Sequence, residues 1–489
     1  MSIPLNAAAL SRLPEGVAGP AYDRASLTPG ILHVGVGNFH RAHMQVYLDR
    51  LFGLGRDHDF AIVGAGVRAA DAGMRDRLLA QDCLTTVVEL DPSGLSARVI
   101  GSMIDFVPVE AQAVIAAMSD PAIRIVSTTV TEGGYYVDAK TDGFAADHPD
   151  IQHDAASPES PKTVFGMVLA ALRRRRDAGL PPFTFLSCDN LPENGHVAAR
   201  TVIGLARLQD AGFAEWVEAN VAFPNSMVDC ITPATSDRER RMVADRFGLI
   251  DAVPVACEPF RQWVIEDNFP QGRPAWEEVG AEFVANVAQY ELMKLRILNG
   301  GHAAIAYPGA LLGHHFVHDA MADPRISGWL DALTRREIQP TLSPIEGVSY
   351  DAYRELIASR FANPEVGDTI PRLCLDGSNR QPKFILPTAK AALAEGGAFE
   401  GLALEVALWC RYCAGTDEAG RDIPPNDDNW EDLRARALKA KDDPDAFLSN
   451  ALVFGDLGAD PRFAEAFGAQ LRSLWTNGVE ASLAAYVRG

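Results

Sequence analysis

The sequence predicts an α/β fold in which an N-terminal parallel-sheet domain is followed by a mainly α-helical C-terminal domain. Three observations carry this. In the first half, short β-rich apolar runs alternate with helical stretches. The first such run leads directly into a Gly-x-Gly turn and a helical pattern. From about residue 285 the apolar residues recur at long helical periodicity instead. At 489 residues the chain exceeds the size at which single cores stop growing, so two domains are expected, residues 1–284 and 285–489.

The expected strands are residues 31–36, 60–63, 85–90, 123–130, 183–187 and 254–257, each apolar and bounded by Gly, Pro, Asp or Asn. Uninterrupted apolar strands of this kind are buried on both faces, as in a sheet covered by helices on each side. The expected helices of the second domain are residues 290–298, 303–312, 326–339, 350–359, 387–393, 402–413 and 464–487, and the Pro/Asp-rich stretch 422–430 reads as a surface loop.

Charge narrows the partners. Lys and Arg number 44 against 65 Asp and Glu, a formal net charge of −21, and the resulting field repels polyanions, so no nucleic-acid partner is expected. The basic run 173–176 closes an apolar helical stretch and reads as a solvated helix end, where cations suit the dipole. The first 16 residues lack a basic segment followed by an apolar one, and no run of 18 apolar residues occurs. No membrane span and a cytoplasmic location are therefore expected. Seven cysteines without framework spacing fit reduced thiols, and Cys410-x-x-Cys413, lying in a helical pattern, reads as structural.

The turn after the first strand reads Gly35-Val36-Gly37-Asn38-Phe39-His40-Arg41, with a helical pattern beyond it. Glycines at the first two positions allow a tight turn and close approach of a pyrophosphate to the helix N-terminus, the Rossmann-type arrangement for a dinucleotide. His40 stands where that pattern has its third glycine. Asp71, near the end of the second strand, is placed to accept adenosine ribose hydroxyls and to repel a 2′-phosphate, which favours NAD over NADP. It also has the simpler reading of a helix opener, and Arg68 beside it can hold a 2′-phosphate.

The stretch Tyr290 to His302 carries the chemistry. At about 100° per residue, Glu291, Asn299 and His302 fall at roughly 60°, 140° and 80° from Lys294, so four polar groups share one side of a helix. An alcohol/carbonyl redox enzyme without a metal needs a group to remove the hydroxyl proton and donors to stabilise the developing oxyanion. Lys294 suits the first task; Asn299, and Asn190 at the end of the 183–187 strand, suit the second. A surface lysine paired with Glu291 is the competing reading. His40 and His43, or His314, His315 and His318, offer imidazoles, with His314 and His318 on one helical face, but neither group forms a recognisable catalytic zinc set and no metal is expected.

Five blocks then give a resemblance: Gly35-Val-Gly-Asn-Phe-His-Arg-Ala-His43, Thr131-Glu-Gly-Gly-Tyr135, Ser187-Cys-Asp-Asn-Leu-Pro-Glu-Asn-Gly195, Phe223-Pro-Asn-Ser-Met-Val-Asp229 and Lys294-Leu-Arg-Ile-Leu-Asn-Gly-Gly-His302. In order and spacing the chain resembles the polyol-specific long-chain dehydrogenase/reductase family. The resemblance implies an NAD-binding N-terminal domain, a helical substrate domain, and interconversion of a polyol and its ketose, a mannitol/fructose-type pair leading. Lys294 resembles the family's general base, Asn190 and Asn299 its oxyanion pair, and His302 the residue that orients the lysine. Asp229, Arg372 and Arg380 resemble substrate ligands, although the family often has Lys at the last position. Thr131 joins Gly35, Val36, Gly37, Asn38, Phe39, His40, Arg41 and Asp71 on the cofactor side. Arabinitol or sorbitol oxidation, and reduction of the sugar acid fructuronate, are the alternatives within the family; the last shares the block Glu258 to Asp267. A non-catalytic NAD-binding sensor is the alternative outside it. The partners implied are a small polyol or ketose, and a monomer or small homo-oligomer.

Overall fold

The computed structural model describes residues 2–138, 141 and 143–489. The chain divides into two compact units, Met1–Ala288 and Gln289–Gly489.

In unit 1 the strands are β1 (Pro29–Val34), β2 (Ala61–Ala65), β3 (Thr85–Glu89), β4 (Ser96–Ile100), β5 (Met103–Phe106), β6 (Ile125–Thr128), β7 (Thr184–Ser187), β8 (Ser226–Asp229), β9 (Val255–Cys257), β10 (Gln262–Glu266) and β11 (Glu282–Val284). The helices that matter here are α1 (Asn38–Ala42), α2 (Met44–Gly53), α3 (Asp71–Leu79), α4 (Ala111–Ser119), α5 (Val164–Asp177) and α6 (Asn194–Gln209). The central sheet is five-stranded and parallel throughout, in the order β5-β2-β1-β6-β7. Alternation along β1 sends its side chains to opposite faces. Leu32 and Val34 pack with Val114 of α4, Phe165 of α5 and Val202 of α6. Ile31 packs with Met44, Leu48 and Leu51 of α2. Burial on both faces is why the strand reads as an unbroken apolar run.

Two of the expected strands belong elsewhere. β3 and β9 lie in a mixed sheet, β9-β3-β4, closed by the short strand Val17–Ala18. The cause is the connection after β3. Asp91 accepts the Ser93 amide at 2.8 Å, turning the chain within a few residues, and so short a link can only bring back an antiparallel neighbour. The edge beside β2 in the parallel sheet is taken by β5, whose four residues are too few to show a pattern. A third sheet, β8-β10-β11, and a two-stranded one pairing Ile3–Pro4 with Leu249–Ile250 complete the unit.

The basic run 173–176 ends its helix as expected, with Arg174 exposed and Arg173 and Arg176 partly so, but Arg175 departs from the solvated reading. Arg175 is fully buried, not solvated, and donates from one guanidinium nitrogen to the carbonyls of Met118, Asp120 and Ile123 at 3.1, 2.8 and 2.9 Å. It caps the C-terminal end of α4, a use of a cation that the helix dipole favours.

The chain passes into unit 2 within α7 (Ala288–Met293), continues through a wide turn at Lys294–Asn299, and then α8 (Gly300–Leu311), α9 (Tyr350–Phe361), α10 (Ile370–Leu373), α11 (Gly377–Phe384), α12 (Glu400–Cys413) and α13 (Pro461–Arg488). α12 is buried from Gly401 to Cys413 and forms the core helix of the unit. α13 is broken at Gly478, whose φ of 82° lies in the left-handed region that glycine tolerates. All seven cysteines, Cys410 and Cys413 included, are buried free thiols. His314 and His318 do not share a helix: His314 precedes the helix Val317–Ala322 and bonds Asp323 at 3.1 Å. Among the described residues, no helix is long and apolar enough to cross a membrane.

Candidate active site

β1 delivers its last residue to a turn that only glycine can make. Gly35 has φ of 97°, and a Cβ there would lie 2.2 Å from the Thr129 carbonyl oxygen. Gly37 is a different case, because a Cβ there would meet nothing nearer than the Gly35 oxygen at 3.9 Å. The space beside it is open, as close approach of a phosphate to the backbone requires. The first amides of α1, from Asn38 onward, have no carbonyl a turn earlier to bond and are left for a ligand. The turn is braced from below by Arg41, which is fully buried. Its guanidinium donates to Gly37 O at 3.2 Å, to Asn38 Oδ1 at 2.7 Å and to Val253 O. Burial lowers its pKa to about 10, with Asp251 working the other way. Asn38 in turn donates to Thr235 Oγ1 at 2.9 Å.

His40 fits where a glycine was expected because His33 of β1 lies flat against it, ring centroids 3.4 Å apart and 7° from parallel. His33 bonds Ser127 Oγ at 2.8 Å and Thr129 Oγ1 at 3.0 Å. Burial pushes the His33 pKa down to about 3, and burial together with His33 and Arg41 holds His40 well below the usual imidazole range. Both rings are therefore neutral, which a face-to-face pair requires.

Opposite β1, the carboxyl ends of β6 and β7 are tied by a residue that sequence reasoning passed over. Asp189 accepts the amides of Val130 and Thr131 at 3.0 and 2.8 Å and the Tyr135 hydroxyl at 2.7 Å. This clamp holds Thr131 at φ of 68°, a conformation a β-branched residue adopts only when its surroundings impose it. Asn190, next in sequence, is exposed just beyond the carboxyl edge of the sheet, where α/β folds bind ligands. Asn194 ties the same edge to β8, donating to Ser187 O at 3.2 Å and Ser226 O at 2.7 Å. Buried Asp229 ends that strand.

Asp71 proves to be a loop builder. One carboxylate oxygen accepts the amides of Val67 and Arg68, both at 2.9 Å, which folds the segment between β2 and α3. The Arg68 guanidinium reaches back to Val130 O at 3.4 Å.

In unit 2 the lysine segment is not the regular α-helix expected. Over Lys294–Asn299 the backbone widens to i→i+5 hydrogen bonding. Five residues then span a little over one turn, so in this geometry Asn299 falls about 50° round from Lys294 instead of 140°. Widened turns of this type occur often at functional sites, where they re-aim side chains. Lys294 is 8% exposed, which removes the surface-lysine reading. The helix does not end at the two glycines: α8 starts at Gly300, and His302 in its first turn stacks on Phe361 of α9 with centroids 4.2 Å apart.

The His302 ring is also near Asp368. Burial works against the Asp368 carboxylate, but the hydrogen-bonded Arg372 guanidinium, with His302 beside it, holds its pKa below the usual range. Arg372 grips Asp368 through two nitrogens, Nε at 2.5 Å. Arg380 donates to the carbonyls of Arg372 and Leu373 at 3.3 and 2.9 Å, capping α10. Lys294, Asn299, His302, Asp368, Arg372 and Arg380 are thus gathered on contiguous elements of one unit. Among the described residues, no group of three or more His, Cys, Asp or Glu side chains is arranged to hold a metal ion.

Residues 29–278 match the mannitol dehydrogenase Rossmann domain, and residues 286–475 match the mannitol dehydrogenase C-terminal domain. The chain belongs to the mannitol dehydrogenase family. Within that family it is 58% identical to the mannitol 2-dehydrogenase of Cereibacter sphaeroides, over 96% of this chain and 98% of the relative. Its fold is that of a Pseudomonas fluorescens mannitol 2-dehydrogenase solved with NAD and D-mannitol, with a TM-score of 0.86 and 42% identity, covering 99% of this chain and all of the other. A D-sorbitol dehydrogenase in substrate-free form is similar at a TM-score of 0.90 and 35% identity, covering 98% of this chain and all of the other. The family's Rossmann domain accounts for the parallel sheet and glycine turn of unit 1, and its C-terminal domain for the helices of unit 2.

Proposed function

We propose that the chain is an NAD-dependent polyol dehydrogenase that interconverts a polyol and its ketose, D-mannitol and D-fructose being the leading pair, with Lys294 as general base and no metal. The observation that supports this reading is the widened turn that carries both buried Lys294 and Asn299, followed within one turn by His302. A relative of the same fold that was solved with NAD and D-mannitol supports the choice of cofactor and substrate. Likeness to a D-sorbitol dehydrogenase makes sorbitol the second substrate to test.

In this reading residues 1–284 form the NAD-binding Rossmann-type domain, which also carries Asn190 and Asp229, and residues 285–489 form the mainly helical substrate and catalytic domain. The open space at Gly37 and the free amides of α1 fit a pyrophosphate, with Val36, Asn38 and Phe39 shaping the turn and Thr131 flanking it. When bound, NAD supplies the acceptor for the hydride that leaves the carbinol carbon. Lys294 enters oxidation as a neutral amine and takes the hydroxyl proton at Nζ. Its conjugate acid returns that proton in reduction. The Asn190 and Asn299 amides donate to the substrate oxygen as negative charge develops on it, and His302 orients the lysine. Asp229 accepts polyol hydroxyls, while Arg372 and Arg380 donate to them. We further read the protein as cytoplasmic, in keeping with its seven free thiols, and as a monomer or small homo-oligomer.

Two experiments test parts of this reading. Activity should survive exhaustive dialysis against a chelator at an unchanged rate; loss that only added zinc restores would contradict the metal-free assignment. Asp71→Ala should narrow the preference for NAD over NADP by removing a charge that repels a 2′-phosphate. It should also raise the KM for NAD, because two loop amides lose their acceptor, at roughly 1.5–3 kcal/mol for a hydrogen bond to a charged group. Initial rates with both cofactors measure this, and an unchanged ratio would move cofactor selectivity elsewhere, Arg68 included.

A further inference from the structure

Glu405 lies in the middle of α12, 1% exposed. Its Oε1 accepts from Gln381 Nε2 at 2.7 Å, while its Oε2 is buried with no hydrogen-bond partner among the described residues. Gln381 belongs to α11 and directly follows Arg380. The start of α11 is already pressed inward: a Cβ on Gly377 would lie 2.6 Å from Trp409 Nε1 of α12 and 2.8 Å from Tyr307 Oη of α8. Ser378 adds a hold on Asp427, its amide and hydroxyl bonding the carboxylate at 2.7 and 2.8 Å. In the middle of α11, where Arg380 projects, the hold on α12 is the Gln381–Glu405 bond.

We propose that Glu405 is a positioning residue for substrate binding: as a neutral carboxyl bonded to Gln381 it lets α11 pack against α12 and so fixes Arg380, whereas ionisation puts an unpaired charge on the partnerless buried Oε2, and the water needed to hydrate it parts the two helices. The inference rests on the reading of Arg380 as a substrate ligand. An ionised carboxylate here would be a buried charge without an ion pair, which proteins avoid by neutralising the group. Burial accordingly pushes the Glu405 pKa up to about 8, with the Gln381 bond opposing. From α8, Tyr307 feels the Glu405 charge, and Cys374 and Cys413 act on the same phenol; burial keeps all three neutral. Among the described residues no other charged or titratable group, on α13 or any other element packed against α12, acts on the carboxyl.

The sign of the pH effect follows. The folded pKa is raised from the ordinary 4.5 to about 8, so the contribution of this group to stability is full below the lower value and is lost as pH rises through the higher one. Above about pH 8 the folded protein itself carries the charge, and only the protonated fraction presents Arg380 correctly. The apparent KM for polyol should then rise by about tenfold per pH unit, in proportion to the loss of the competent form.

The test is the KM for D-mannitol and for NAD between pH 7 and 10 in the full-length wild type, Glu405→Gln and Arg380→Ala, with thermal unfolding of the first two over pH 5 to 9. Glu405→Gln keeps the hydrogen bond and cannot ionise. Its mannitol KM should stay flat where that of the wild type climbs, its KM for NAD should match the wild type throughout, and its melting temperature should lack the wild-type decline toward pH 8. Parallel mannitol KM profiles in wild type and Glu405→Gln, or a flat wild-type profile, would overturn the role of Glu405. An unchanged mannitol KM in Arg380→Ala would instead overturn the reading of Arg380 on which the inference rests.

Discussion

Lys294→Ala should bind NADH as the wild type does and lose about 10²–10⁴-fold in polyol oxidation, the usual cost of removing a general base. The side chain is buried on a turn of widened backbone that also carries Asn299, and its removal leaves every residue of the glycine turn unchanged. Truncation should therefore spare the cofactor. Because the amine must be neutral to accept a proton and charged to return one, wild-type oxidation should rise with pH through one ionisation while ketose reduction falls through the same one. Steady-state rates of both directions, with NADH binding followed by fluorescence, check each part. A variant that binds NADH and oxidises polyol at the wild-type rate with the wild-type pH profile would make Lys294 a structural lysine.

The second large effect is expected at Gly35. Alanine there carries roughly 1–3 kcal/mol of backbone strain at φ of 97°. Its Cβ would also overlap the Thr129 carbonyl at 2.2 Å, a backbone atom that cannot swing aside. β1 and β6 must then part at the point where Thr129 Oγ1 donates to Gly35 O at 2.6 Å. Gly35→Ala should lose both stability to urea and NADH affinity, the latter by tenfold or more for about 1.4 kcal/mol of misplacement. Gly37→Ala is the informative contrast. Its Cβ meets only ordinary contact distances, so the fold should hold while the space for a phosphate is filled. Wild-type NADH affinity in Gly37→Ala would show that the cofactor does not use that space.

What could be read from the sequence was the local chemistry. A strand, Gly-x-Gly and a helix start are adjacent in the chain, and so the α/β class and the phosphate-binding turn were legible. The helical character of the second half was legible for the same reason, since apolar periodicity is a property of contiguous residues. Features set by hydrogen-bond register or by distant partners were not. Nothing in Lys294 to Asn299 announces i→i+5 bonding, so regular helical geometry placed Asn299 well away from the lysine. Asp189 sat unnoticed beside Asn190 because its partners, Val130, Thr131 and Tyr135, are more than fifty residues earlier. Arg175 looked like one of four surface cations because the carbonyls it caps lie on another helix. The strand 85–90 has the apolar content of a parallel strand, and only its short turn to β4 sends it into a different sheet.

Product identification decides which reaction the enzyme catalyses. The purified enzyme would be given NAD with D-mannitol, D-sorbitol or D-arabinitol, and NADH with D-fructose or fructuronate, with NADH followed by absorbance and the sugars by chromatography. D-mannitol should give stoichiometric D-fructose and NADH, D-fructose should give the reverse, and Lys294→Ala should be slower in both directions by about 10²–10⁴-fold. NADH consumption with fructuronate alone, or no hydride transfer with any of these polyols, would contradict the proposed function.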